Sequence, residues 1–133
     1  MKATVTFVIL LFVLALAPAA VLAQSLNGTI YAVQGAPVPE FFNFSVSDQT
    51  FVTIICTFGG GGNGRWFAAF GTTDGVSGTG QVIMPSGFAL MQPAGASIQF
   101  QLDQPGGAAG SFTIKGLEPF LSLSSGRFVR VFP

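Results

Sequence analysis

Residues 40–58, EFFNFSVSDQTFVTIICTF, decide how this chain folds. Phe42, Phe44 and Val46 fall on one face of an extended strand and Asn43, Ser45 and Ser47 on the other, because successive side chains of a strand point to opposite sides. The alternation breaks at Asp48-Gln49, a pair suited to a tight turn. It then resumes, with Val52, Ile54, Cys56 and Phe58 on one face and Phe51, Thr53, Ile55 and Thr57 on the other. The wholly apolar first set is expected to face the core, and the half-apolar second set suits a central strand covered on both sides. The stretch predicts a β-hairpin at the centre of an all-β fold.

The flanks extend the same pattern. Toward the N terminus, Leu26, Gly28 and Ile30 alternate with Asn27, Thr29 and Tyr31, predicting a strand that ends near Val33. Pro37 and Pro39 then hold residues 34–39 as an extended loop. Toward the C terminus, GGGGNG at 59–64 predicts an exposed loop, and Trp66–Phe70 a short strand with aromatic groups on both faces. Residues 72–80, TTDGVSGTG, read as a polar glycine-rich connection. Gln81–Met84 and Phe88–Gln92 are short strands around a Pro85-Ser86-Gly87 turn. Ile98, Phe100 and Leu102 alternate with Gln99, Gln101 and Asp103; beyond Pro105-Gly106-Gly107, Phe112 and Ile114 alternate with Thr113 and Lys115, giving a second antiparallel pair. Leu121–Leu123 and Arg127–Phe132 are the closing strands. About eight to ten short strands with regular turn signals and no helical period predict an antiparallel β-sandwich or jelly roll.

The first 23 residues stand apart. A positive start at Lys2, an apolar run from Val5 to Leu16, a break at Pro18 and the small-residue pattern Val21-Leu22-Ala23 compose a secretory signal peptide cut before Gln24. The expectation is a secreted, extracellular protein (periplasmic or cell-surface in a bacterium), with residues 24–133 as one β domain and no membrane span in the mature chain. That domain sets Arg65, Lys115, Arg127 and Arg130 against Glu40, Asp48, Asp74, Asp103 and Glu118. So sparse and balanced a charge argues against a nucleic-acid partner, which requires a basic patch, and favours homo-oligomers because little repulsion keeps copies apart. Cys56 is the single cysteine, so no internal disulfide forms; its place among Val52, Ile54 and Phe58 predicts a buried, inert thiol.

FFNFSV, the following TFVTII and the later GGAAGSFTIKGL together resemble the small secreted β-sandwich modules of the bacterial pre-peptidase C-terminal type. The resemblance implies an accessory, non-catalytic β-sandwich. Those modules carry an Asp-rich middle strand, whereas this chain has GRWFAAFGT there, with no Asp before Asp74, so no calcium or other metal role is carried over.

The chemistry that the residues allow is narrow. With no histidine, Ser-His-Asp and Cys-His mechanisms lose their base and zinc its commonest ligand, so neither an enzyme of those classes nor a cofactor is expected. A carboxylate hydrolase would have to bring two of the five acids together, and Asp48, Asp74, Asp103 and Glu118 all fall at turns or strand ends. Gly59, Gly61 and Gly64 satisfy G-x-G-x-x-G only by belonging to a glycine tract. Asn27-Gly28-Thr29 and Asn43-Phe44-Ser45 are N-glycosylation sequons, usable in a eukaryote. The best binding candidates are Arg65, Trp66, Phe67 and Tyr31 with Asp74, since an exposed aromatic with nearby polar groups suits a sugar ring. On that reading Phe67 is the surface residue if Trp66 and Phe70 fill the core. Two functions follow: non-catalytic adhesion, envelope or matrix structure through surface contact and self-association, or a carbohydrate-binding module around Trp66 and Phe67.

Overall fold

The computed structural model describes residues 19–58, 64–86, 89–91, 95–117 and 124–133. The hairpin of residues 40–58 forms as β2 (Glu40–Ser47) and β3 (Thr50–Phe58), joined by a two-residue turn in which Asp48 takes a left-handed backbone (φ 53°). Ser47 pairs with Thr50 and Val46 with Phe51, so the register is fixed from the turn outward. Residues directly opposite in a sheet share a face. Phe42, Phe44 and Val46 point inward and carry Ile55, Thr53 and Phe51 with them. The inner face of β3 is thus Phe51, Thr53, Ile55 and Thr57, and the set expected in the core, Val52, Ile54, Cys56 and Phe58, faces outward.

The remaining strands are β1 (Ile30–Val33), β4 (Gly64–Thr73), β5 (Ser77–Ser86), β6 (Ala89–Met91), β7 (Ser97–Leu102), β8 (Ala109–Lys115) and β9 (Ser125–Phe132). Each pairs antiparallel with its chain neighbour, apart from the short β6, which pairs with the end of β5 while β5 itself continues to β7. One further pairing, of the terminal strands β1 and β9, joins the two ends of this run. The sheet therefore closes into an eight-stranded up-and-down antiparallel barrel. The all-β character stands, but the sandwich or jelly roll expected from the sequence, and implied by the resemblance to pre-peptidase C-terminal modules, does not form. Closure uses up the backbone donors and acceptors that a sandwich leaves at its edges.

Residues 72–80 are likewise not a loop. They are the ends of β4 and β5, and the turn is only Asp74-Gly75-Val76. The Asp74 carboxylate accepts the Val76 and Ser77 amides at 2.9 and 2.8 Å, Gly75 has φ +91°, and the Thr73 hydroxyl donates to the Ser77 carbonyl.

Phenylalanines fill the barrel. Phe44 and Phe51 each contact Phe100, with ring centroids 5.2 and 5.3 Å apart, and Phe42 packs on Phe112 at 5.0 Å. Strands β4 and β5 supply small inward residues opposite this bulk: a Cβ on Gly78 would lie 2.3 Å from the Phe100 ring. Gly71 and Gly80 face each other so closely that a Cβ on either would strike the other strand's backbone. One end of the barrel is capped by α1 (Ala19–Gln24) and the residues after it, with Ala23 and Leu26 fully buried. The Asn27 side chain accepts the Val46 amide there, and Tyr31 and Arg130 tie down the 103–108 loop through Gly107 and Gly106 carbonyls. Among the described residues no helix is long and apolar enough to cross a membrane. The apolar leader core, the 59–63 part of the glycine tract, most of the Pro85-Ser86-Gly87 and Phe88–Gln92 region, Glu118 and the Leu121–Leu123 strand lie outside the described residues or their described side chains.

Candidate functional site

Alternation around a closed, filled barrel leaves one surface for contact, the outer wall. Cross-strand pairing arranges its side chains in rows. Val129, Ala32, Phe41, Cys56 and Trp66 form one row over β9, β1, β2, β3 and β4. The next is Ile30, Asn43, Ile54, Ala68 and Ile83, and a third pairs Val52 with Phe70. Asn43 is the polar exception in the first two. Trp66 is 42% exposed, Val52 43%, Phe70 40% and Phe58 53%, with Phe41 edge-on to Phe58 at 6.1 Å. Each of the first two rows crosses five strands, four spacings of about 4.8 Å, so the apolar face runs about 19 Å along the wall, well beyond the scattered apolar residues of an ordinary monomer surface.

The opposite side of the wall has a different chemistry. Thr79, Gln99, Thr113 and Ser125 make one row over β5, β7, β8 and β9, and Ser77, Gln101, Ser111 and Arg127 another. Arg127 is held by Asp103, its guanidinium donating to the carboxylate at 2.8 Å, and this bond keeps the Asp103 carboxyl below its ordinary range. Both partners are half-exposed, so the pair adds little stability. Three depressions on this side meet at Thr79, two of them about 400 Å³.

The residues singled out from the sequence do not assemble on one surface. Trp66 lies on the outer wall, where Phe70 joins it, but Phe67, its expected companion on an exposed platform, does not; the alternative in which Trp66 and Phe70 fill the core and Phe67 faces out is reversed. Phe67 is 2% exposed inside the barrel and Tyr31 is fully buried. Tyr31 donates its phenolic hydrogen to the Gly107 carbonyl at 2.7 Å and packs on Phe128; burial pushes its pKa up, opposed by the nearby Arg130. Arg65 is exposed at the mouth of the barrel, in one register row with Thr57 and the buried Glu40, whose carboxylate accepts the Thr57 hydroxyl at 3.4 Å. Asp74 serves its turn, and the two backbone amides lower its pKa. Cys56, expected to be buried, is partly exposed on the apolar face opposite Trp66.

Of the two sequons, Asn43 is exposed on the apolar face. Asn27 is exposed too, but its side-chain oxygen is engaged by Val46, and the Thr29 hydroxyl of that sequon is buried against the Leu26 carbonyl. Among the described residues no three His, Cys, Asp or Glu side chains cluster as metal ligands. The apolar face was the feature sequence reasoning missed, and the hairpin turn carried the signal for it: a two-residue turn at Asp48-Gln49 forces Phe51, not Val52, onto the face of Val46. Comparison with protein-family models, curated proteins and solved structures finds no match.

Proposed function

We propose that this chain is an exported, non-catalytic contact protein that associates with a second copy of itself through the apolar half of its barrel wall. The observation that carries the reading is the charge-free set of rows over β9 to β4, centred on Ile54 and Cys56. A two-fold dimer presents the same patch from both partners, so the patch must complement itself. An apolar face without charge meets that condition, and the near-balanced charge of residues 24–133, four cations against five acids, adds little long-range repulsion. The leader sequence supports export. The wall is curved, so two copies touch over part of the patch; an interface at or below about 1,200 Å² in total is in the weak, transient class.

Sedimentation velocity over a dilution series tests the proposal. Wild type is expected to shift from monomer toward dimer or larger species as concentration rises, and Ile54→Lys, an outward substitution, to remain monomeric with an unchanged circular dichroism spectrum. A wild type that stays monomeric throughout the series contradicts the proposal.

A further inference from the structure

We infer that the polar half of the barrel wall, over β4, β5, β7 and β8, is a groove for an uncharged polysaccharide chain. The inference rests on the reading that this protein acts by surface contact; it uses the polar half of the wall and meets the apolar half at Phe70.

Gly71 and Gly80 pair so closely that neither strand has room for a Cβ there. A depression of about 400 Å³ opens there, with the two glycine backbones between Phe70 and Gln81 on one side and Thr72 and Thr79 on the other. At Thr79 it joins one depression that continues over Gln99 and Thr113 and another that runs to the turn at Gln49 and Asp74. From β4 to β8 the groove spans three strand spacings, about 15 Å.

Its chemistry selects the occupant. The backbone beneath is fully engaged by β4–β5, β5–β7 and β7–β8 pairing, so an extended peptide has no strand edge to join. The lining carries no basic cluster for a phosphate backbone. Hydroxyl and carboxamide groups both donate and accept hydrogen bonds, as sugar hydroxyls do, and the 40%-exposed Phe70 ring at one end offers an apolar plate for the C–H face of a pyranose. A wall of this kind is normally solubilised by Lys and Glu; here the strand positions from Phe70 and Gln81 to Gln99 and Thr113 are uncharged, Asp74 standing only at the turn end, which leaves them open to a neutral polyhydroxyl chain.

Affinity electrophoresis of the purified protein tests this, using native gels that contain hydroxyethylcellulose, galactomannan, arabinoxylan or starch, with alginate as the acidic control. Wild type is expected to be retarded by at least one neutral polymer, with the retardation unchanged in high salt. Phe70→Ala is expected to weaken it about tenfold, the scale of one lost stacking contact. Thr79→Glu and Gln99→Glu, both at exposed positions that leave the core untouched, are expected to abolish it. Absence of retardation in every neutral gel overturns the inference, as does retardation that survives both Glu variants or that Ile54→Lys removes. A protein that self-associates but is not retarded sinks this inference alone; one that does neither sinks the surface-contact reading as well.

Discussion

At the scale of single residues, the interior allows three quantitative tests. Gly78 exists because the Phe100 ring occupies the space of its side chain. Gly78→Ala should therefore destabilise the protein by about 1–3 kcal/mol in chemical denaturation, the usual cost of overpacking. Thr53 is fully buried, and its Oγ1 is the buried side-chain oxygen among the described residues without a hydrogen-bond partner. Replacing it with the isosteric valine removes a desolvated hydroxyl, and Thr53→Val should raise stability by about 1 kcal/mol. Tyr31 links β1 to the 103–108 loop, and its raised pKa means that the folded state holds the phenolic proton more tightly than the unfolded chain. The stability this group contributes is full below its ordinary pKa near 10 and is lost as pH rises through the elevated value. Tyr31→Phe should cost about 1 kcal/mol at neutral pH and flatten the alkaline limb of a stability-against-pH curve.

Elements show how much was legible and why the rest was not. The strands of residues 40–58, 97–102 and 109–115 could be read directly, since their apolar and polar residues alternate cleanly. The orientation of β3 was misread because Ile54 and Cys56 outweigh Thr53 and Thr57 in hydrophobicity, whereas the short turn and the inward phenylalanines of β2 decide the face. The same register settles β4, where the sequence offered both Trp66 and Phe67 as a surface platform: Phe67, paired with Ile55, goes inside, and Trp66, paired with Cys56, stays outside. The β4–β5 turn was hidden within TTDGVSGTG, whose glycines resemble loop residues but include the close approaches at Gly78 and Gly80. Asp74 is what makes that turn tight. Asp74→Ala should lower stability in urea, and the loss should vanish at acid pH. A carboxyl with a depressed pKa contributes above its ordinary value near 3.8 and loses that contribution as pH falls through the depressed one.

For the whole molecule, barrel and sandwich share the same local pattern, so the distinction lay in one pairing between the chain's first and last strands, β1 with β9. No local window contains that pairing. Closure fills the inside with phenylalanine, leaves no free edge on the eight barrel strands and confines contact to a wall with one apolar and one polar half. The lone tryptophan, Trp66, stands on the apolar half and reports directly on whether that half becomes covered. The decisive measurement is acrylamide quenching of its fluorescence as a function of protein concentration. The expected result is strong quenching and a red-shifted, water-exposed emission in dilute solution, with quenching falling as copies meet. An indole already shielded at the lowest concentration contradicts the placement of Trp66 on the outer wall; one equally accessible at every concentration contradicts the self-contact proposed for it.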